Sequence, residues 1–359
     1  MVGIRTFEPT EKDGKIFARG ATDSKVHVKS WLSAVESLLN TGGSPVNIKL
    51  LFEGEEESGS ATINAFVNQH PKRLNCDVVV ISDGIVRAPD QPSIVYGIRG
   101  IVTTELHVYG PQQDLHSGHF GGTVHNPAQA IMEILSQLHD DEGRVTVPHF
   151  YDNVEAISDA ERQRLAASND LMEAEWRDVA NPPASWGEPG YNLHERIGAR
   201  PTLEINGIAG GYTGEGFKTV LPAHAMAKIS CRLVPNQDPD TILKLVQDYI
   251  REITPPTVRI EFAYSGDVNA PSVVLDTDSA AMQAAYRAYE KGWGVPPVFE
   301  RAGGSVPITY KMQPLSDDII KMGFSYKGGR AHGPNENIYV DMFYKGINTA
   351  IYFLQGMGK

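Results

Sequence analysis

Residues 46–83 constrain the fold more than any other stretch. A largely apolar run, Val46 to Phe52, interrupted by Asn47 and Lys49, passes abruptly into Glu53-Gly54-Glu55-Glu56-Glu57-Ser58-Gly59-Ser60. A helical segment follows, Ala61 to Gln69, and then a second apolar run, Val78-Val79-Val80-Ile81, which stops at Ser82-Asp83. Strands that are apolar throughout must be buried on both faces, so this order predicts a parallel sheet covered by helices. In such sheets ligands gather beyond the carboxyl ends of the strands. The acidic residues stand at those ends.

The rest of the chain divides around that unit. Val28, Trp31, Leu32, Val35, Leu38 and Leu39 predict a helix that stops near Gly42-Gly43, and Val340 through Leu354 predict a C-terminal one. From about Gly100 the pattern changes. Alternation over 101–108 and 225–233, a strand over 258–262 and helical period over 127–138 and 241–253 predict two helices against an antiparallel sheet. Residues 150–200 are polar and weakly periodic, expected as an excursion over the surface. After Asn269 the parallel-sheet character returns, with Asp278 as the expected cap of a helix through Lys291. The expected fold class is therefore α/β, with one domain split between 1–99 and 269–359 and an α+β domain, 100–268, inserted into it.

Composition narrows the function classes. Lys plus Arg number 32 against 44 Asp plus Glu, a net charge of −12. That disfavours nonspecific nucleic-acid binding and anionic membrane surfaces. Cys76 and Cys231 are the only cysteines, too few for a disulfide framework or a cysteine-rich zinc site. No run of 18 apolar residues occurs, and the first 20 residues carry charges throughout. A soluble, cytoplasmic protein is expected.

Several residues suit metal-assisted hydrolysis. Adjacent carboxylates at Glu55, Glu56 and Glu57 repel one another, and a divalent cation relieves the repulsion while leaving a neighbouring carboxylate as a base. A solvated acidic loop is the alternative. Asp83 ends a buried strand and Asp23 precedes a helix, so each is a candidate ligand or merely a cap. His332, in Gly328-Gly329-Arg330-Ala331-His332-Gly333, suits a metal ligand from a loop, though a loop histidine is also ordinary polar surface. His116 falls in the inserted domain and reaches a site only from its edge. Taken together, Asp23, Glu56, Glu57, Asp83 and His332 all lie in the split domain at strand-end loops. Carboxylates with one histidine form a ligand set for zinc or manganese.

The order of these motifs resembles the two-metal peptidase family of carnosinase, cytosolic non-specific dipeptidase and aminoacylase, nearest its dipeptidase branch. The matching segments are Gly20 to Lys25, Glu56-Glu57-Ser58-Gly59-Ser60, Ser82-Asp83, Tyr96-Gly97-Ile98-Arg99-Gly100, Asp114-Leu115-His116-Ser117-Gly118, Arg232-Leu233-Val234-Pro235-Asn236, Gly303-Gly304-Ser305 and Ala331-His332. The resemblance implies that the inserted domain is a ferredoxin-like lid through which the chain forms a homodimer. It implies that Asp23 bridges two divalent ions, that Glu57 and His332 complete one site and that Asp83 serves the other. Glu56 would be the general base and His116 the oxyanion stabiliser, which in dimeric relatives comes from the partner's lid. Arg232, Thr219 and the Gly303-Gly304-Ser305 loop would hold the substrate's carboxylate. The implied activity is hydrolysis of dipeptides or short peptides. Cleavage of N-acyl amino acids, carboxypeptidase action, or a non-catalytic dimerising remnant are the alternatives.

The chain also departs from the family pattern. The family's His-x-Asp ligand motif has no counterpart among the 22 residues before Asp23. The site served by Asp83 is thus expected to be incomplete, and the chain to be N-terminally truncated and catalytically impaired. Ser24 replaces a residue that is usually acidic. Ala302 stands where close dipeptidases carry a glutamate. His27, four residues beyond Asp23 and inside the helix, is not expected to substitute as a ligand.

Overall fold

The structure, a computed structural model, describes residues 6–263 and 269–358. The expected domain boundary at 268 lies outside the described residues. In chain order the first main element is helix α1, Lys25–Asn40, which buries Val26, His27, Ser30, Trp31, Ala34 and Leu38 at helical spacing. It exits through Gly42 and Gly43, both at positive φ. Helix α2, Ala61–Gln69, and strand β1, Val78–Ile81, have the bounds expected from the sequence.

The run Val46 to Phe52 differs from expectation. Val46 and Ile48 pack against the core, yet no residue of the run belongs to a strand, and Leu50, Leu51 and Phe52 are exposed. A strand exists only where a neighbouring ladder takes up its N–H and C=O groups. Among the described residues β1 pairs on one side only, so no such ladder reaches this run.

Strand β2, Ser93–Ile98, continues past Arg99 directly into β3, Gly100–Tyr109. There the chain changes cores. Residues up to Ile98 join one hydrophobic cluster and residues from Val102 join a second. The second is built by helix α3, Pro127–Leu135, strand β4, Thr202–Gly210, strand β5, His224–Leu233, helix α6, Pro239–Ile253, and strand β6, Arg259–Ala263. Its sheet is antiparallel in the order β6-β3-β5-β4, the ferredoxin-like arrangement.

The stretch 150–200 is not a surface excursion. It contains the 21-residue helix α4, Asp159–Val179, capped by Ser158, and the short helix α5, Leu193–Gly198. Ile157, Leu165 and Ala199 from this stretch join the first core. Glu161 meets Arg301 at 2.5 Å, and Arg87 reaches both Glu175 at 3.1 Å and Glu300 at 3.0 Å.

The chain returns to the first core through helix α7, Ala280–Trp293, strand β7, Val298–Ala302, strand β8, Asp318–Lys321, and helix α8, Val340–Met357. Ser279, not Asp278, caps α7. β7 runs parallel to β2 and β8 parallel to β1, as the apolar runs predict. Gly346 of α8 lies against Phe324, where a Cβ would stand 2.9 Å from its ring. That close approach seats Phe324 among Trp31, Tyr289 and Trp293, directly behind the strand ends. Among the described residues no helix is long and apolar enough to cross a membrane.

Candidate active site

Four loops meet at the ends of β1 and β8. The loop before α1 carries Asp23, a 3-10 turn over Glu56–Ser58 carries Glu56 and Glu57, Asp83 follows β1, and His332 sits in the glycine-rich loop before α8. The His332 Nε2 atom lies 2.8 Å from Asp23 Oδ2 and 2.7 Å from Glu57 Oε1. Among the described residues these three form the one group whose ligand atoms converge, all within 4.8 Å of one another.

Two features bring the Asp23 and His332 loops together. Gly329 packs on Thr22, where a Cβ would stand 2.2 Å from the hydroxyl, so only glycine permits the approach. Glu336, buried beyond His332, is the second. Its Oε1 accepts from Thr22 N at 2.9 Å and Asp23 N at 2.8 Å, and its Oε2 from Gly20 N at 2.9 Å and Arg19 Nη1 at 2.6 Å. Burial pushes the Glu336 carboxyl upward, but the three backbone N–H groups and Arg19 together hold it below the usual carboxylate range. Sequence reasoning missed Glu336. His332 itself adopts φ 59°, a left-handed conformation uncommon for a side-chain-bearing residue and typical of functional loops.

The electrostatics are those of crowded acids. Removal from water raises Asp23 above its ordinary range, and the Asp83 and Glu57 carboxylates raise it further, with His332 opposing. Glu56 is raised in the same way, first by partial burial and then by Asp83, Glu57 and Asp23. The Glu57 and Asp23 carboxylates raise His332. Groups that hold protons this tightly for want of positive charge also attract a cation. Two carboxylates and one imidazole suit zinc or manganese. In a tetrahedral zinc site donors stand about 3.3 Å apart, so the two contacts of His332 would need to open by only about half an ångström.

Asp83 stands outside the converging trio, although its charge reaches Asp23 and Glu56. Lys321, at the end of β8, is buried on the same side. Burial pushes it down to about 8, against the pull of Asp83 and Glu56. His27 is a core histidine. Its Nδ1 lies 2.7 Å from Ser24 Oγ and its Nε2 3.0 Å from Phe324 N, and burial lowers its pKa.

The remaining expected residues form two further groups. In the inserted domain, His116 accepts from Gly118 N at 3.0 Å, and its Nε2 lies 3.1 Å from Thr219 Oγ1. These two residues line a cavity of about 500 Å³ together with Asp114 and Lys218. Across the domain junction, Arg232 of β5 donates to Ser305 Oγ at 2.9 Å, beside Gly303 and Gly304.

Comparison with known proteins shows the family and the fold. Cys-Gly metallodipeptidase dug1 of Schizosaccharomyces pombe is 32% identical over 346 residues, 94% of this chain and 72% of that protein. The crystal structure of human carnosine dipeptidase 1 superposes with a TM-score of 0.79 at 29% identity, over 98% of this chain and 74% of that one. The M20 family metallo-carboxypeptidase Sso-CP2 from Sulfolobus solfataricus gives 0.85 at 30% identity, over 97% and 79%. The sequence pattern of peptidase family M20/M25/M40 matches residues 2–356, from ahead of the Asp23 loop to the last turn of α8. The chain belongs to that family.

Proposed function

We propose that the chain is a metal-dependent hydrolase that cleaves the amide bond of dipeptides or short peptides beside a free C-terminal carboxylate. The convergence of Asp23, Glu57 and His332 next to Glu56, in a peptidase-family chain similar to dipeptidases, carries this reading. Asp23, Glu57 and His332 would hold zinc or manganese, which would polarise the scissile carbonyl and acidify water, while Asp83 would serve a second site that lacks its His-x-Asp ligand.

The remaining work falls to the chain's own residues. Glu56 takes the proton from the attacking water and returns it to the leaving amine. Its upward shift moves the carboxyl toward the working pH, as a base that must also act as an acid requires. Arg232, Thr219, Ser305 and the backbone N–H groups of Gly303 and Gly304 hold the substrate carboxylate. His116 steadies the oxyanion. Because His116 is partnered within the lid, its delivery to the acidic cluster requires either lid closure or a homodimer formed through the lid, 100–268, against the split catalytic domain, 1–99 and 269–359. The unpaired thiols Cys76 and Cys231 suit a reducing, cytoplasmic setting.

The likeness to Sso-CP2 favours a second reading, carboxypeptidase action. Both readings share the free-carboxylate anchor and differ in what precedes the scissile bond. The test is hydrolysis of dipeptides, longer peptides and N-acyl amino acids by the chain loaded with zinc or manganese, beside a chelator control. Fastest chelator-sensitive cleavage of dipeptides supports the first reading. Faster cleavage of longer peptides moves the assignment to a carboxypeptidase, and faster cleavage of N-acyl amino acids to a deacylase. Absence of turnover refutes a hydrolytic role for this chain.

A further inference from the structure

The chain passes between the two cores between Ile98 and Val102, between Tyr151 and Ile157, between Ala199 and Leu203, and again ahead of Val273, and the first and last of these passages run side by side. One is the β2–Arg99–β3 passage. The other returns through residues 269–272. Ile101 and Ala270 exchange both backbone hydrogen bonds, at 2.8 and 2.9 Å, and Ser272 Oγ donates to Ile98 O at 2.8 Å. Gly100 lies so close to the returning strand that a Cβ would stand 2.5 Å from Ala270 O. This paired passage is one of the places where a change in the angle between lid and catalytic part must be taken up.

Arg99 occupies it, half-buried, and binds three bodies at once. Its Nε donates to Gly303 O at 3.1 Å, and its Nη1 donates to Arg200 O, just past the end of α5, at 3.2 Å. Its backbone N–H reaches Ala302 O at 3.3 Å, and its carbonyl accepts from Ser305 Oγ at 2.7 Å. That same Ser305 hydroxyl accepts from Arg232. Among the described residues neither guanidinium is paired with a carboxylate. Burial and the nearby Arg232 charge push Arg99 down to about 10. The rigid guanidinium fork of Arg99 spans the two carbonyls with two separate nitrogens, which a lysine does not have.

We propose that Arg99 is a positioning residue that couples the lid angle to the 303–305 loop, so that the loop's carboxylate-binding groups are aligned only while the hinge holds this conformation. This rests on the assignment of that loop as the substrate anchor. Arg99 touches no reacting atom. It acts through Gly303 and Ser305.

The test uses the full metal-loaded chain with Arg99→Lys and Arg99→Met, the lysine variant keeping the charge where the methionine variant risks misfolding. Hydrogen exchange by mass spectrometry over 302–306 reads the loop directly. Faster exchange there in both variants, with the 56–58 and 330–334 loops unchanged, is expected. Losing two bonds from a charged donor should raise KM for a dipeptide about 10-fold in Arg99→Lys while kcat stays within about threefold. A substrate whose C-terminus is an amide should show no such sensitivity. Unchanged exchange at 302–306 overturns the proposal, as does a uniform loss of protection or a fall in kcat alone. If the wild-type chain hydrolyses nothing, the functional assignment fails, and the exchange data still decide whether Arg99 orders the loop.

Discussion

Glu336 offers the sharpest test of how the Asp23 loop is held. In Glu336→Gln one acceptor oxygen becomes an NH₂ group. The oxygen that remains serves either Thr22 and Asp23 or Gly20 and Arg19, but not both pairs. The better orientation keeps Thr22 and Asp23 and turns the NH₂ toward Gly20 N and the Arg19 guanidinium. Arg19 is 38% exposed and can swing into water, whereas the Gly20 N–H loses a buried partner. One unsatisfied buried donor plus a lost charge-assisted bond costs about 2–4 kcal/mol. Urea unfolding of wild type and variant at pH 7 measures that difference. The sign with pH also follows. A carboxyl held below its unfolded value contributes stability above the unfolded pKa and loses it as the pH falls through the folded one. The gap between wild type and Glu336→Gln should therefore close on acidification below the ordinary carboxylate range. Because Glu336 orients a ligand loop, zinc affinity should weaken about 10–100-fold. A variant within about 0.5 kcal/mol of wild type that binds zinc equally well would refute the clamp.

Other expected outcomes bear on the same cluster. Glu56→Gln should lower kcat by at least about 100-fold while zinc content, read by elemental analysis, stays at the wild-type level. Lys321→Met removes the buried positive charge facing Asp83 and Glu56. The acid limb of the pH–rate profile should then move upward by about 0.5–1 unit, and a limb that stays in place would separate Lys321 from the base. Chelation should stop turnover and lower the thermal midpoint, since zinc at about 100 times its Kd stabilises the native state by about 2.7 kcal/mol. An unchanged midpoint would show that the trio holds no ion.

Much of this architecture was legible in the sequence because apolar runs and helical spacing leave recognisable patterns. β1 follows from its continuous apolar run, and α1 and α8 follow from the helical spacing of their apolar residues. Val46 to Phe52 is largely apolar but carries Asn47 and Lys49, and it forms no strand, since strand formation also depends on a neighbouring backbone that side chains do not encode. α4 escaped notice for the opposite reason. Only Leu165, Ser168 and Met172 of its 21 residues are buried, and ion pairs from Glu161 and Glu175 add to its hold on the first core. The convergence of Asp23, Glu57 and His332 was legible because acids clustered at strand ends have few other uses. Glu336 was not, because its four donors come from more than 300 residues away. The pairing of Arg232 with Ser305 was implied only by family likeness, and no local pattern signals it.

The adjacent crossovers also bear on how such a chain changes over evolutionary time. Residues that exchange both backbone hydrogen bonds in an antiparallel pair have Cα atoms about 5.5 Å apart. To the host sheet, everything between Ile101 and Ala270 thus occupies the place of a tight hairpin turn, whatever its length. Insertions whose ends meet in this way are the ones hosts tolerate. Within that segment, the parts outside 157–199, whose Ile157, Leu165 and Ala199 join the first core, can lengthen or shorten while Ser93–Ile98 and Val298–Ala302 keep their register. Mechanically, a module pinned at both ends and again through 157–199 cannot twist about its own tether.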